Sequence, residues 1–210
     1  MTHPYRLYGW PNSGAFAVQV ALEETRAPYE RLWVARDEAS MARFRTVNPT
    51  GKSPALALPD GTVMFESAAM LVHLGLAHPD SHLCPPPGTS RHALFLQWMV
   101  FCSANLYEPV LRLYYPERYS SRGAADAEAV KERATAEFLA NLTLIGSRLA
   151  PYVLGMEYSL ADVYLYMLQS WWPGDREPLY AKVPALATHA ALIAARPAVA
   201  KVEADHTAAA

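Results

Sequence analysis

Three short clusters carry side chains able to hold a small charged ligand. Asn12-Ser13-Gly14 sits where a helical pattern begins, so an amide and a hydroxyl lie beside the unpaired N–H groups of a helix start. Lys52-Ser53-Pro54 places a cation and a hydroxyl before a proline that opens an apolar run. Glu66-Ser67 precedes the apolar helical stretch Ala68 to Ala77, where Ser67 and the helix N-terminus can receive a carboxylate and Glu66 an amino group. Each cluster also has a plain structural use. Ser13 and Glu66-Ser67 can serve as helix caps, and Pro54 can open an edge strand.

The elements around these clusters follow from pattern and punctuation. Tyr5 to Trp10 is a short aromatic-rich strand, broken by Pro11-Asn12-Ser13-Gly14 before the helical run Ala15 to Glu24. Tyr29 to Val34 is a second strand, parallel to the first through a β-α-β unit, and residues 37–45 form a short helix that stops before Asn48-Pro49. Pro54 to Leu58 and Thr62 to Phe65 flank Pro59-Asp60-Gly61, a turn that joins them as an antiparallel hairpin. Pro85-Pro86-Pro87-Gly88 is a stiff linker. Beyond it the patterns are helical: Arg91 to Leu113, with a kink at Pro109, then Ala124 to Leu149, Ser159 to Gln169 and Leu186 to Ala195. The expected organisation is an α/β domain with order β-α-β-α-β-β-α over residues 1–80, a linker at 81–90 and an all-α domain over 91–210.

The run Asn48-Pro49-Thr50-Gly51-Lys52-Ser53-Pro54-Ala55-Leu56, followed by Gly61, Phe65 and Glu66-Ser67, resembles the glutathione-binding region of cytosolic glutathione transferases. A second stretch, Gly155-Met156-Glu157-Tyr158-Ser159-Leu160-Ala161-Asp162, resembles that family's Gly-x-x-x-Ser/Thr-x-Ala-Asp motif. There Ser159 caps a helix and Asp162 closes a capping box, a folding device rather than a general base. The resemblance covers nearly the whole chain and is bacterial-like, with the class within the family open. It implies a thioredoxin-like N-terminal domain followed by an all-α C-terminal domain, the glutathione transferase fold. It also implies a cis bond before Pro54, the Ser53 main chain meeting the cysteine moiety of glutathione, Lys52 at the glycine carboxylate, and Glu66-Ser67 at the γ-glutamyl group.

Conjugation needs the thiolate, so the enzyme must supply a hydrogen bond and positive potential at sulfur. Family members use Tyr, Ser or Cys near the first turn. Here the tyrosine position falls near Gly9, the serine position near Asn12 with Ser13 adjacent, and the cysteine position near Gly14. The donor is therefore Ser13 or Asn12, with Ser13 the first choice; Tyr8 points to the opposite strand face from Gly9. Trp10, Phe16, Tyr107, Leu111, Tyr114, Trp171 and Trp172 can supply an apolar pocket for a hydrophobic electrophile. The resemblance also implies a homodimer.

Composition narrows the alternatives. The 210 residues are 52% hydrophobic, with 18 Lys and Arg against 20 Asp and Glu, which speaks against nucleic acid or an acidic membrane as partner. Cys84 and Cys102 lack the spacing of a zinc site or a redox pair, and no metal is expected. No leader-like or membrane-spanning run stands out, so a soluble cytoplasmic protein is expected. A glutathione-dependent isomerase, lyase or ether-cleaving enzyme on the same fold stays open, as does a glutathione-binding module without catalysis.

Overall fold

The computed structural model describes residues 3–209. Strand β1 (Tyr5–Gly9) turns Tyr5, Leu7 and Gly9 inward and Arg6 to solvent, the period-two pattern of a half-buried strand. Helix α1 (Ala15–Glu24) is buried at every position from Ala15 to Leu22, as an apolar run with little amphipathic bias requires. Strand β2 (Tyr29–Trp33) lies parallel to β1, with Tyr5 opposite Tyr29 and Gly9 opposite Trp33. Helix α2 (Glu38–Val47) begins at Asp37, whose carboxylate accepts the Ser40 N–H at 2.9 Å, and it buries Phe44. Strands β3 (Ala55–Ala57) and β4 (Val63–Phe65) pair antiparallel, and helix α3 (Ser67–Ala77) follows.

The four strands are ordered β2-β1-β3-β4, with β1 and β3 antiparallel. The order β-α-β-α-β-β-α is the one expected from sequence, and the architecture is thioredoxin-like.

The rest of the chain is helical. Helix α4 (Ser90–Phe101) runs into a π-helical turn, Cys102–Tyr107, and on into α5 (Glu108–Tyr114); α6 (Ala127–Gly146), α7 (Leu160–Ser170), α8 (Glu177–Lys182), α9 (Pro184–Ala194) and α10 (Pro197–Ala208) follow. The interruption expected at Pro109 lies instead in the turn before it. Pro109 occupies the first turn of α5, where its missing N–H costs no hydrogen bond. Helix α8 and helix α10 were not anticipated. One is a single short segment, and the other buries just Val199, Val202 and His206 of its twelve residues.

The chain divides into two compact units, one of residues up to Pro86 together with those from Ala194 onward, the other from Pro87 to Ile193. The all-helical domain, expected to run to the end of the chain, thus gives its last helix to the first unit. Four polar contacts hold α10 there. Gln19 Nε2 donates to Asp205 at 2.7 Å, Arg31 pairs with Asp205, Arg196 forms a two-pronged pair with Glu24 at 2.6 and 2.8 Å, and Lys201 meets Glu23 at 2.6 Å.

The helical unit is built around α7, buried from Leu160 to Gln169. Burial of Leu160, Val163, Leu165 and Leu168 contributes about 1.5–3 kcal/mol each. Asp162, wholly buried, accepts the Ser159 N–H at 2.8 Å and the Ser159 hydroxyl at 3.0 Å on one oxygen. Its other oxygen accepts the Val153 N–H at 2.7 Å and lies 3.1 Å from His189 Nε2. The capping box is present, and every bond Asp162 makes is a folding bond.

Candidate functional site

Strand register brings the three clusters together. Tyr8 stands opposite Ala55, and Ala55 stands opposite Phe65. Continued by one residue, the same register aligns Gly9, Pro54 and Glu66 at one end of the sheet. The Asn12-Ser13 turn, Ser53 and the start of α3 therefore share that end although the turn lies 40 to 55 positions before the other two in sequence. The contact is direct at one point: Ser13 Oγ lies 2.8 Å from Ser53 Oγ.

Close approach at this end requires Gly9. A Cβ there would lie 2.6 Å from Ser53 Oγ and 2.8 Å from the Cβ of Ala15. The space a side chain would need at this position is thus filled by the side chains of Ser53 and Ala15.

The loop leading to Pro54 is held by Asn48, which is buried. Its Nδ2 donates to the Lys52 carbonyl at 2.6 Å, and its Oδ1 accepts the Thr50 N–H at 3.1 Å and the Thr50 hydroxyl at 2.8 Å. Lys52 is exposed, Ser53 half-buried and Pro54 buried, and the Ser53–Pro54 peptide is cis. Asn48, part of the sequence motif, thus builds an Asx-type turn that shapes the loop before Pro54.

Glu66 has φ 74° and ψ 100°, a left-handed conformation that non-glycine residues adopt at a cost of about 1–3 kcal/mol. Its side chain is exposed and makes no capping bond, whereas Ser67, the first residue of α3, is buried.

Asn12 is also left-handed, with φ 53°. Asparagine tolerates this region better than most residues. Its N–H donates to Nδ1 of His206 on α10 at 3.3 Å. The Asn12 side chain is exposed and engages no partner among the described residues.

Ser13 differs. It is 8% exposed, its hydroxyl donates to the Trp10 carbonyl at 2.6 Å, and its oxygen takes the Ala15 N–H at 3.3 Å. With its one hydrogen given to Trp10, Ser13 accepts from Ser53. The helix cap position itself is Gly14, so Ser13 is not a simple N-cap.

The residues expected to line an apolar pocket fall in separate surroundings. In the first unit, Trp10 is half-buried, edge-on to Phe44 at 5.9 Å, with the Arg36 guanidinium 5.8 Å over its ring. Phe16 departs from expectation: it is buried with its ring 5.4 Å from His206, a core contact made by α10. In the helical unit, Tyr107 meets Trp171 edge-on at 5.3 Å and Tyr164 at 6.4 Å, and the Tyr114 hydroxyl donates to the Trp171 carbonyl at 3.2 Å. Leu111 is half-buried, and Trp172 stacks on the buried Phe138 at 5.8 Å. Arg36 and His206 escaped the sequence reading because neither belongs to a local motif.

Burial raises both cysteine thiols, Cys84 to about 11, so neither is poised as a nucleophile. No helix among the described residues is long and apolar enough to cross a membrane, and no group of three or more His, Cys, Asp or Glu gathers there for a metal.

The chain thus joins a thioredoxin-like sheet, with a buried serine at the start of α3, to a helical unit, and comparison with known proteins gives its family. The profile of the glutathione S-transferase N-terminal domain matches residues 15–76. The uncharacterized GST-like protein YncG of Escherichia coli (strain K12) is 31% identical over 175 residues, covering 80% of this chain and 82% of its own. A glutathione transferase homolog from Sulfitobacter, solved with bound glutathione, superposes with a TM-score of 0.86 at 26% identity over 98% of this chain and 99% of that one. A sphingomonad glutathione S-transferase complexed with glutathione gives a TM-score of 0.79 at 27% identity, covering 96% and 98%. The chain belongs to the glutathione S-transferase family.

Proposed function

We propose that the protein is a glutathione transferase, binding glutathione at the sheet end shared by Asn12, Ser53 and Ser67 and presenting its sulfur as thiolate to a hydrophobic electrophile. The observation that carries the reading is the strand register that aligns Gly9, Pro54 and Glu66. The complexes of similar proteins with glutathione support it.

In this reading Ser67 and the N-terminus of α3 receive the γ-glutamyl carboxylate, Glu66 the amino group, and Lys52 the glycine carboxylate. The Ser53 main chain pairs with the cysteine moiety. The thiol loses its proton to solvent, the sulfur attacks the electrophilic carbon, a C–S bond forms, and the leaving group departs with its electron pair.

The sulfur's donor is one of two neighbours. Ser13 was the first choice from sequence, but its hydrogen is committed to the Trp10 carbonyl. The Asn12 amide stands exposed beside the first turn of α1, so we assign it the donor role and Ser13 the role of closing the turn against Ser53. The aromatic group Tyr107, Tyr114 and Trp171, next to a π-helical turn of the kind frequent at functional sites, supplies acceptor-substrate contacts on the helical unit together with Leu111. A cytoplasmic setting and a homodimer belong to the same reading, the latter supported by apolar Val63 and Phe65 exposed on edge strand β4 and Leu94 and Val100 exposed on α4.

One observation favours a glutathione-binding module instead: the committed hydrogen of Ser13 leaves one side-chain donor fewer for sulfur. Calorimetry together with the ultraviolet thiolate signal of bound glutathione between pH 5 and 9 separates the two. The transferase reading expects a bound thiol pKa below the free value, restored upward in Asn12→Ala and little changed in Ser13→Ala. An unshifted thiol in the wild type leaves the binding module; no binding overturns both.

A further inference from the structure

We propose that His206, on the last helix of the chain, is the positioning residue of the Asn12 turn, its Nδ1 holding the backbone that presents the sulfur's hydrogen-bond donor. The inference rests on the glutathione site proposed above and concerns a residue 194 positions from the turn it holds.

His206 is 3% exposed, caged edge-on between Phe16 at 5.4 Å and Trp33 at 5.0 Å. Because Nδ1 accepts the Asn12 N–H, the ring hydrogen resides on Nε2, and Nε2 is buried without a hydrogen-bond partner. The imidazole thus carries one unpaired donor that an apolar ring in the same cage would not. What imidazole supplies and an apolar ring does not is the acceptor at Nδ1.

The acceptor must stay neutral to do this, because a protonated ring has two donors and would repel the Asn12 N–H. Burial and the neighbouring Arg31 charge on β2 push the His206 pKa down to about 4, against the opposing pull of Asp205 on α10. The ring therefore accepts throughout the neutral range. Helix α10 is in turn fixed to α1 and β2 by the Gln19–Asp205 and Arg31–Asp205 contacts one residue before His206. Position and tautomer are both set, and the Asn12 backbone is drawn into the left-handed region by a fixed acceptor.

Three variants test this. His206→Phe keeps an aromatic ring and deletes the acceptor; His206→Asn keeps an acceptor near the place of Nδ1; Asp205→Asn loosens α10 and leaves the acceptor in place. The readouts are the thiol pKa of bound glutathione and, without glutathione, hydrogen exchange at the Asn12 amide. His206→Phe should raise the bound thiol pKa by about half a unit to one unit, a loss of roughly threefold to tenfold in thiol acidity, and abolish protection of the Asn12 amide. His206→Asn should restore both, and Asp205→Asn should lower the melting temperature with the thiol pKa unmoved. Equal thiol shifts in Asp205→Asn and His206→Phe would reduce His206 to part of a structural helix and overturn the proposal, as would unchanged Asn12 exchange in His206→Phe. Should His206→Phe not fold, His206→Gln, whose acceptor reaches to the Nε2 position instead, takes its place with the same expectations. Failure of wild-type glutathione binding would sink the transferase reading alone, because exchange at Asn12 still decides whether His206 holds the turn.

Discussion

The two units each contain a buried polar cluster, and the clusters are finished to different degrees. Around Asp162 both carboxylate oxygens are used, by Ser159, Val153 and His189, with His189 Nδ1 passing on to Gln169 at 3.0 Å. Only Gln169 Oε1 is left over there. Around Asn12, two backbone positions of the site are left-handed, His206 Nε2 and Trp33 Nε1 are buried without partners, and the Asn12 amide faces outward unengaged. A polar cluster whose central acid is fully paired fixes a fold; one with an exposed unengaged amide and strained backbone retains the capacity to bind something else.

The comparison breaks first if Asp162 proves dispensable. Asp162→Ala would leave the Val153 and Ser159 N–H groups, the Ser159 hydroxyl and His189 Nε2 short of their acceptor, for an expected loss of about 3–5 kcal/mol. Urea unfolding measures this, and the folded fraction should bind glutathione as before.

It is sharpened by pH. The unfolded chain takes up a proton at His206 near pH 6.5, whereas the folded chain resists until about pH 4. Between those values the unfolded state holds more protons, so stability falls as pH drops through the window, by up to about 3 kcal/mol from this residue. Denaturation midpoints at pH 7 and pH 4.5 should differ less in His206→Phe than in the wild type. An equal pH slope would mean that His206 titrates normally and is not held neutral by its cage.

The smallest expected effect is at Gly9. Gly9→Ala forces a Cβ against Ser53 and Ala15, and should cost about 1–3 kcal/mol while weakening glutathione binding, because Ser53 must move. Loss of stability with unaltered binding would separate Ser53 from the ligand.

Much of the fold was legible because its signals are local. Asp60-Gly61 marked a hairpin, Asn48 to Pro54 a built loop, and Ser159 with Asp162 a capped helix, each within a few residues of what it specifies. The candidate site was legible as a set of side chains, including Glu66-Ser67 and Asn12-Ser13. It was not legible as an arrangement, and α10 was missed because its buried side chains, Val199, Val202 and His206, are few and its polar contacts to α1 and β2 join residues far apart in sequence.

By itself, then, the sequence determined most of the elements, the turns between them and the residue types gathered at the candidate site, since propensity, capping and turn chemistry act over short range. Tertiary structure decided the rest. The register of β1, β3 and β4 brought Gly9, Pro54 and Glu66 to one end of the sheet, and α10 returned to put His206 against Asn12. These are contacts between residues distant along the chain, and they form only where packing of the whole unit brings their backbones within hydrogen-bond reach.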